Sequence, residues 1–150
     1  MPEETVNISL RAVTPENFKE VITLQVREDQ KKFVASNLYS LAEAYVFPQR
    51  TPLAIYADET LVGFLMYAYI ETSQNHWIFR LMIAADQQAR GYGREAMRLL
   101  IDRMRAIPGC SKIYISYEFE NDPARTLYAS LGFHPNGEVF EDEEIAVLTL

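Results

Sequence analysis

The sequence predicts an α+β (mixed α/β) fold in which helices cover both faces of one mixed sheet. Strand-like and helix-like runs follow one another in the order β-α-α-β-β-β-α-β-α-β-β, which gives about seven strands concentrated in the middle of the chain. The chain has 150 residues, 49% of them hydrophobic and 23% charged, as is usual for one globular domain with a single core. We therefore expect one domain over residues 1–150.

The N-terminal part of the chain predicts one strand and two helices. Residues Ile8–Val13 alternate between apolar and polar side chains, which is typical of a strand. Thr14–Asn17 resembles a helix start, because a threonine that can cap is followed by a proline. The apolar side of this helix contains Phe18, Val21, Ile22 and Val26. A second helix is expected over Leu38–Tyr45, followed by a loop between Pro48 and Pro52.

The middle of the chain predicts three strands and a long helix. Two β-rich runs, Leu53–Ala57 and Leu61–Ile70, are joined by Asp58–Thr60, which indicates a hairpin. Trp77–Ala84 is a further apolar run rich in residues that favour strands. Gly91 then opens a helix whose buried stripe is expected to contain Ala96, Met97, Leu100, Ile101 and Met104.

The C-terminal part predicts a short strand, a helix and two closing strands. Pro108–Gly109 ends the long helix, and Ile113–Tyr117 follows as a strand. Asp122–Pro123 begins the last helix, and Gly132 stands where a helix C-cap favours glycine. The inward side of this helix contains Ala124, Leu127, Tyr128 and Leu131. The closing strands are Phe133–Phe140 and Ile145–Leu150.

Composition and charge limit the classes of partner. The formal net charge is −7 and the isoelectric point is about 4.8, which disfavours nucleic acid and would attract cations. No apolar run approaches the roughly 20 residues of a membrane span, and Met1–Glu4 lacks the order of a secretion signal. Cys110 is the single cysteine, which suits a reducing compartment. We expect a cytoplasmic protein without a membrane or nucleic-acid partner.

A glycine-containing segment, Gln88–Gly93, lies between a predicted strand and a predicted helix. Glycine permits positive φ and close approach of a ligand, while the start of a helix presents free N–H groups and a positive dipole end. The segment therefore predicts a pyrophosphate cradle, to which Arg90 and Arg94 could add charged contacts. On these residues alone, a plain glycine turn is the competing interpretation.

A dinucleotide site is a second alternative for the same segment. Gly91–Ala96 fits GxGxxA, and Glu118 stands at about the distance expected for a ribose-binding acid. However, Asp86–Arg90 separates these glycines from their strand, and too little chain follows for a doubly wound fold, so we reject this alternative. The sequence also has no GxxxxGK[ST] loop for ATP and no spacing typical of metal ligands.

Two motifs resemble the GCN5-related N-acetyltransferase (GNAT) superfamily. The family's (Q/R)xxGx(G/A) signature is matched by Gln88, Gly91 and Gly93, at a strand-to-helix junction. A second signature is matched in full by a series further along the chain: Asn121, Ala124, Leu127, Tyr128, Gly132 and Phe133. The resemblance extends from about Ile8 to Leu150. It implies a central, mostly antiparallel mixed sheet, acetyl-coenzyme A (acetyl-CoA) as acyl donor and direct attack by an amine in a ternary complex.

The resemblance also implies roles for individual residues. The cofactor contacts that it implies are Leu81, Met82, Ile83, Gln88, Arg90, Gly91, Tyr92, Gly93, Arg94, Asn121 and Ala124. A backbone N–H near Met82 or Ile83 would polarise the thioester carbonyl. Tyr128 resembles the family's general acid. A phenol with an ordinary pKa of about 10 can protonate a leaving thiolate. The fourth strand lacks the carboxylate that serves some members as base, so Glu71, His76 and Glu118 remain candidates.

The acceptor is expected to be a small cationic amine. Several stretches resemble the corresponding regions of bacterial spermine/spermidine acetyltransferases: Leu24–Gln30, Phe33–Ala35, Ser40–Ala44, and Leu61–Phe64 with Met66–Tyr67. That resemblance favours a polyamine, and the carboxylates available to bind it are Glu28, Asp29, Glu43, Glu71 and Glu118, with Tyr39 and Tyr45 as cation–π partners.

Several alternatives stay open at this stage. The acceptor could instead be a protein N-terminus, an amino acid or an aminoglycoside. The chain could also be a coenzyme A-binding sensor without catalysis, or a structural module. Dimers are common in the family, so a homodimer through residues 139–150 is a further expectation.

Overall fold

A computed structural model describes residues 5–150, so the acidic Met1–Glu4 lie outside the described residues. In chain order the elements are β1 (Ile8–Ala12), α1 (Phe18–Thr23), α2 (Asn37–Val46), β2 (Arg50–Ala57), β3 (Thr60–Ile70), β4 (Asn75–Ile83), α3 (Tyr92–Arg105), β5 (Lys112–Glu118), α4 (Asp122–Ser130), β6 (His134–Phe140) and β7 (Glu143–Thr149). Short 3₁₀ turns occupy Glu28–Gln30 and Ala85–Gln87. The predicted order of elements is therefore confirmed.

The strands form one seven-stranded sheet in the order β1-β2-β3-β4-β5-β7-β6. Every neighbouring pair is antiparallel except β4 and β5, which run parallel. The parallel pairing is short, since it joins only His76–Ile78 to Ile113–Ile115. Beyond these residues β4 and β5 have no register with each other. The sheet is thus mixed and mostly antiparallel, as predicted, with an opening near its centre.

Helices cover both faces of the sheet because each face buries a separate apolar cluster. One cluster joins the sheet to α3 and α4 and contains the whole predicted stripe of α3: Ala96, Met97, Leu100, Ile101 and Met104. The other cluster packs Val21 of α1 against Phe64, Met66 and Met82 of the sheet. Leu41 and Ala44 of α2 are half-buried against this second cluster.

Three local predictions in the N-terminal half are wrong. Helix α1 ends at Thr23, so Val26, predicted on its apolar side, lies in the segment that follows it. Residues Thr14–Asn17 form a turn in which Asn17 Oδ1 accepts from the Thr14 N–H at 2.8 Å, so α1 begins only at Phe18. Pro52, predicted to end a loop, lies inside β2 opposite Met66. Proline is tolerated there because β1 ends opposite Leu53, which leaves Pro52 with a strand neighbour on one side only.

Gly63 lets β3 and β4 approach closely at the open end of the sheet. A Cβ atom at this position would lie 2.4 Å from the Met82 carbonyl oxygen, which is main chain and cannot turn aside. The absence of a side chain at Gly63 therefore allows the last residues of β4 to lie this close to β3. Within residues 5–150, no helix is long and apolar enough to span a membrane.

Candidate functional site

The opening between β4 and β5 is the centre of the candidate site. Pairing between the two strands stops at Ile78 and Ile115, so the later residues of β4, 79–83, have no strand partner on that side within residues 5–150. On the other side of the opening, residues 116–118 of β5 continue to pair with β7. Ligands in open α/β sheets bind outside the carboxyl ends of parallel strands, where the connections diverge. Here both connections, to α3 and to α4, leave from this end.

The end of β4 turns backbone polar groups into the opening. The Ala84 N–H donates to the Val62 carbonyl at 2.8 Å, so Ala84 faces β3. Backbone groups of successive strand residues point to opposite sides, so Met82 also faces β3, whereas Leu81 and Ile83 face the opening. Of the two amides predicted to polarise a thioester, only that of Ile83 has this orientation. Met82 instead packs its side chain in the core.

The glycine loop has the backbone shape of an anion cradle. Gly91 is the N-cap of α3 with φ of +81°, and a Cβ there would meet no atom within 4 Å. The first bond of α3 runs from the Glu95 N–H to the Gly91 carbonyl at 3.1 Å, so the N–H groups of residues 92–94 lack a helical acceptor. These groups, at the positive end of a 14-residue helix, fit a pyrophosphate.

The two predicted arginines of this loop differ in their surroundings. Arg90 is exposed beside the cradle, where it can reach a phosphate. Arg94 is also exposed, and its guanidinium donates to the Ser130 hydroxyl. Arg94 therefore links the start of α3 to the end of α4.

Gln88, the first residue of the glycine signature, is held by side-chain hydrogen bonds. Its Nε2 donates to the Ile83 carbonyl at 2.9 Å and to Gln30 Oε1 at 2.7 Å. Gln30 Nε2 donates in return to Gln88 Oε1 at 3.1 Å. Sequence reasoning missed Gln30, because the two glutamines are 58 positions apart and nothing local marks the pairing.

Tyr128 lies on α4, and only 9% of its surface is exposed. Its ring packs against Tyr117 and Phe133, at centroid distances of 5.7 and 6.1 Å. Its hydroxyl has no hydrogen-bond partner among the described residues. Within the described residues, Arg80 Nε is the only side-chain polar atom that is fully buried and has no hydrogen-bond partner. The Tyr128 hydroxyl also has no partner, so it is not fully buried and keeps contact with solvent. Burial raises the pKa of Tyr128, so the phenol stays protonated.

The other signature residues of α4 organise its first turn. Asn121 is the N-cap, and its Oδ1 accepts from the Ala124 N–H at 3.3 Å. Pro123 stands at the start of the helix, where a missing N–H is harmless. The helix start therefore lies directly after the β5 end of the opening, with Asn121 half-buried there.

Glu118 and Glu143 form a pair of carboxylates at the same end of the sheet. They are directly opposite each other in the pairing of β5 with β7. Burial and the charge of Glu118 raise the pKa of Glu143, while Arg80 opposes this rise. Sequence reasoning named Glu118 and missed Glu143, because the pairing register that joins them is a tertiary property.

Glu43, predicted to bind substrate, is already neutralised. Its carboxylate accepts from Arg80 Nη2 at 3.2 Å and from Arg50 Nη1, and its side chain is only 13% exposed. The Arg50 guanidinium lies 4.7 Å from the centroid of the Phe79 ring. Glu43 therefore fixes two arginines beside α2 and does not offer a free charge to an amine.

Glu71 and His76, two candidates for the base, lie at the wrong end of the sheet. His76 pairs with Ile113 where β4 and β5 are joined, seven residues and about 23 Å from Ile83 at 3.3 Å per residue. Its ring packs 4.9 Å from that of Tyr69, and burial lowers the pKa of His76. Glu71 accepts from Gln49 at this same end. Neither side chain can reach the opening.

The remaining predicted carboxylates lie in the exposed segment between α1 and α2. Glu28 accepts from Lys31 at 2.6 Å, and Asp29 lies 3.4 Å from Arg27. This segment borders a cavity of about 240 Å³ whose mostly apolar lining includes Met82. Tyr39 and Tyr45 of α2 are both exposed. No group of three metal-binding side chains occurs within residues 5–150.

Comparison with known proteins agrees with this geometry. The model of the acetyltransferase (GNAT) family matches residues 18–133. Spermine/spermidine N(1)-acetyltransferase of Bacillus subtilis strain 168 is 31% identical over 152 residues, covering 97% of this chain and all of the relative. The crystal structure of spermidine N-acetyltransferase from Vibrio cholerae in complex with CoA and spermine has a TM-score of 0.77 at 18% identity, covering 95% of each chain. A domain from Methanocaldococcus jannaschii has a TM-score of 0.79 at 19% identity, covering 97% of this chain and 100% of the other.

Proposed function

The chain belongs to the GNAT family of acetyltransferases, and we propose that it transfers the acetyl group of acetyl-CoA to a primary amine of a polyamine such as spermine or spermidine. It is thus an acyltransferase, and acetyl-CoA is the acyl donor that its family uses. The observation that carries the proposal is the opening between β4 and β5, with a phosphate cradle beside it and Tyr128 on the next helix. The polyamine assignment is supported by a full-length relative of that specificity.

The cofactor would be held chiefly by main-chain groups. The pyrophosphate fits the free N–H groups at Tyr92, Gly93 and Arg94, with Arg90 supplying charge. The pantetheine arm would pair with Leu81 in the manner of a strand, since Leu81 turns its backbone groups into the opening, whereas the Ile83 carbonyl already accepts from Gln88. Asn121 and Ala124, together with the side of α4 that bears Tyr128, would form the opposite wall.

Two groups of this chain would assist the acyl transfer. The Ile83 N–H points into the opening and would donate to the carbonyl oxygen on which negative charge develops. The Tyr128 hydroxyl, which is protonated and has no hydrogen-bond partner among residues 5–150, would donate its proton to the departing thiolate. Both groups would serve direct attack by the amine on the thioester, without an acyl-enzyme.

The cationic acceptor would approach the side of the opening that carries Glu118 and Glu143. Two facing carboxylates attract an ammonium group, and one of them can take the proton that the amine must lose before it attacks. Of the candidate bases named from the sequence, Glu118 is the one at the opening. Glu28 and Asp29 would contribute more weakly, because each is already paired with a cation at the surface.

The test is release of coenzyme A from acetyl-CoA in the presence of spermine, spermidine, a panel of amino acids and an aminoglycoside. We expect saturable turnover with the polyamines and an increase of KM in Glu118→Gln. Preference for an amino acid or the aminoglycoside would reject the polyamine assignment. Binding of acetyl-CoA without turnover of any amine would instead favour a coenzyme A sensor.

We also propose that the chain forms a homodimer. β6 is an edge strand whose residues are all exposed, and it carries Val139 and Phe140 with more than half of each side chain uncovered. A related structure is described as dodecameric spermidine N-acetyltransferase from Vibrio cholerae, so assembly occurs on this fold. Sedimentation of the wild type against Phe140→Lys should show a dimer that dissociates in the variant.

A further inference from the structure

Gln30 and Gln88 connect two segments of the chain that are 58 positions apart in sequence. Gln88 begins the cofactor loop, and Gln30 ends the 3₁₀ turn between α1 and α2. Their side-chain amides exchange two hydrogen bonds, of 2.7 and 3.1 Å, in a half-buried position. A reciprocal amide pair of this kind fixes the orientation of both side chains, since each supplies a donor and an acceptor.

The Gln88 side chain uses both of its N–H donors and also accepts a hydrogen bond. One N–H goes to the Ile83 carbonyl at 2.9 Å and the other to Gln30. The residues that follow, Ala89 with φ of +63° and Gly91 with φ of +81°, give the loop its cradle shape. A ligand that orders the cradle would therefore also order the Gln88 side chain.

Gln30 also forms a hydrogen bond within the segment between α1 and α2, so it connects that segment to Gln88. Its Oε1 also accepts from the Arg27 N–H at 3.3 Å, which holds the 3₁₀ turn together. The start of the segment is joined to the cofactor side by one further bond, from the Ala85 N–H to the Gln25 carbonyl at 2.8 Å. The segment lines the cavity beside Met82. Gln30 is thus its side-chain connection to the cradle.

We propose that the Gln30–Gln88 amide pair couples the two substrate sites, so that a ligand on the cofactor loop orders the segment 25–35 and tightens binding of the amine. The assignment of the two sites rests on the proposed function. Gln30 acts here as a positioning residue through Gln88. Because coupling between two binding sites is reciprocal, the amine must tighten binding of the cofactor by the same factor.

The first test is hydrogen exchange of the full chain with and without coenzyme A. In the wild type, coenzyme A should slow exchange both in residues 88–94 and in residues 25–35. In Gln30→Leu it should slow exchange in the loop alone. An equal effect on residues 25–35 in both proteins, or no effect on them in the wild type, overturns the proposal. This result needs no amine, so it is independent of the polyamine assignment.

The second test measures coupling directly by titration calorimetry. Coenzyme A does not acetylate the amine, so the Kd of spermidine can be compared with and without it. We expect coenzyme A to tighten spermidine binding about fivefold or more in the wild type and to have no effect in Gln30→Leu. An unchanged ratio in Gln30→Leu overturns the proposal. If spermidine binds neither the wild type nor Gln30→Leu, the proposed substrate is rejected. The hydrogen-exchange result then decides whether the amide pair couples the cofactor loop to residues 25–35.

Two further variants separate coupling from damage to the fold. Gln30→Glu keeps the oxygen that accepts from Gln88 and loses the donor, so it should retain part of the coupling. Gln49→Leu makes the same chemical change as Gln30→Leu at the far end of the sheet and should retain all of it. If Gln49→Leu abolished the coupling as well, the effect would be nonspecific and the proposal wrong.

Discussion

Replacing Tyr128 with phenylalanine separates a catalytic hydroxyl from a structural aromatic ring. The ring contacts with Tyr117 and Phe133 survive this change, and the hydroxyl has no protein partner among the described residues. The substitution therefore removes no hydrogen bond within the described part of the chain, and we expect the free energy of unfolding to change by less than about 1 kcal/mol. It leaves no cavity larger than one oxygen atom.

The effect on catalysis should be much larger. Positioned general acids contribute about 10²–10⁴-fold, which corresponds to about 2.7–5.4 kcal/mol of transition-state stabilisation at 1.36 kcal/mol per tenfold. We expect kcat to fall by that factor, while KM for acetyl-CoA stays close to the wild-type value. Burial of the thiolate in the same opening would raise its pKa too, so proton transfer from a phenol with a raised pKa remains feasible.

The assay is steady-state release of coenzyme A with spermidine, together with urea unfolding of each protein. Tyr69→Phe is a matched control, because it removes a phenol hydroxyl at the closed end of the sheet. A fall of less than about tenfold in kcat would refute Tyr128 as the general acid, since it lies below the range for such groups. Loss of stability parallel to the loss of activity would instead indicate a structural role.

Three further predictions concern the surroundings of the site. Gly63→Ala should lower the free energy of unfolding by about 1–3 kcal/mol in urea titrations, because the added Cβ would meet main chain at 2.4 Å, whereas Gly93→Ala, with 3.6 Å available, should fold normally. Burial raises the pKa of Glu143, the charges of Glu118 and Glu141 raise it further and Arg80 opposes the rise, so kcat/KM should rise with pH through a range above that of an ordinary glutamate. Glu118→Gln should move this rise to lower pH, and an unmoved profile would exclude the pair as the base. Glu43→Gln should cost about 3–5 kcal/mol of stability, because two arginines lose their counter-charge, and should leave the KM for spermidine unchanged.

Local sequence patterns predicted the elements of the fold well. The order of strands and helices and the whole buried stripe of α3 are confirmed, because periodicity records directly which side of an element is apolar. The two motifs also predicted the family, which the family model and a full-length relative confirm. Errors arose at the ends of elements. Pro52 lies inside β2 because β1 ends opposite Leu53, so Pro52 has a neighbouring strand on one side only, and the local sequence does not reveal where β1 ends.

In the candidate site, the positions of the motif residues were predicted better than those of the carboxylates. Gln88 and Gly91 lie between β4 and α3, and Asn121 and Tyr128 lie at the start and on the body of α4, as the motifs predicted, whereas their roles stay predictions. The carboxylates were predicted from charge alone and with less success. Glu43 is occupied by arginines, and Glu71 lies at the closed end of the sheet.

The sequence by itself determined what depends on neighbouring residues: the buried face of α3, the positive φ of Gly91, the glycine that follows α4 and the cofactor motif. Only the tertiary structure decided which distant residues meet. The pairing of Glu118 with Glu143 depends on the register of β5 with β7, and the contact of Gln30 with Gln88 depends on how the segment after α1 folds back over the end of β4. Such contacts are set by packing of the whole chain, because no local pattern specifies a partner dozens of residues away.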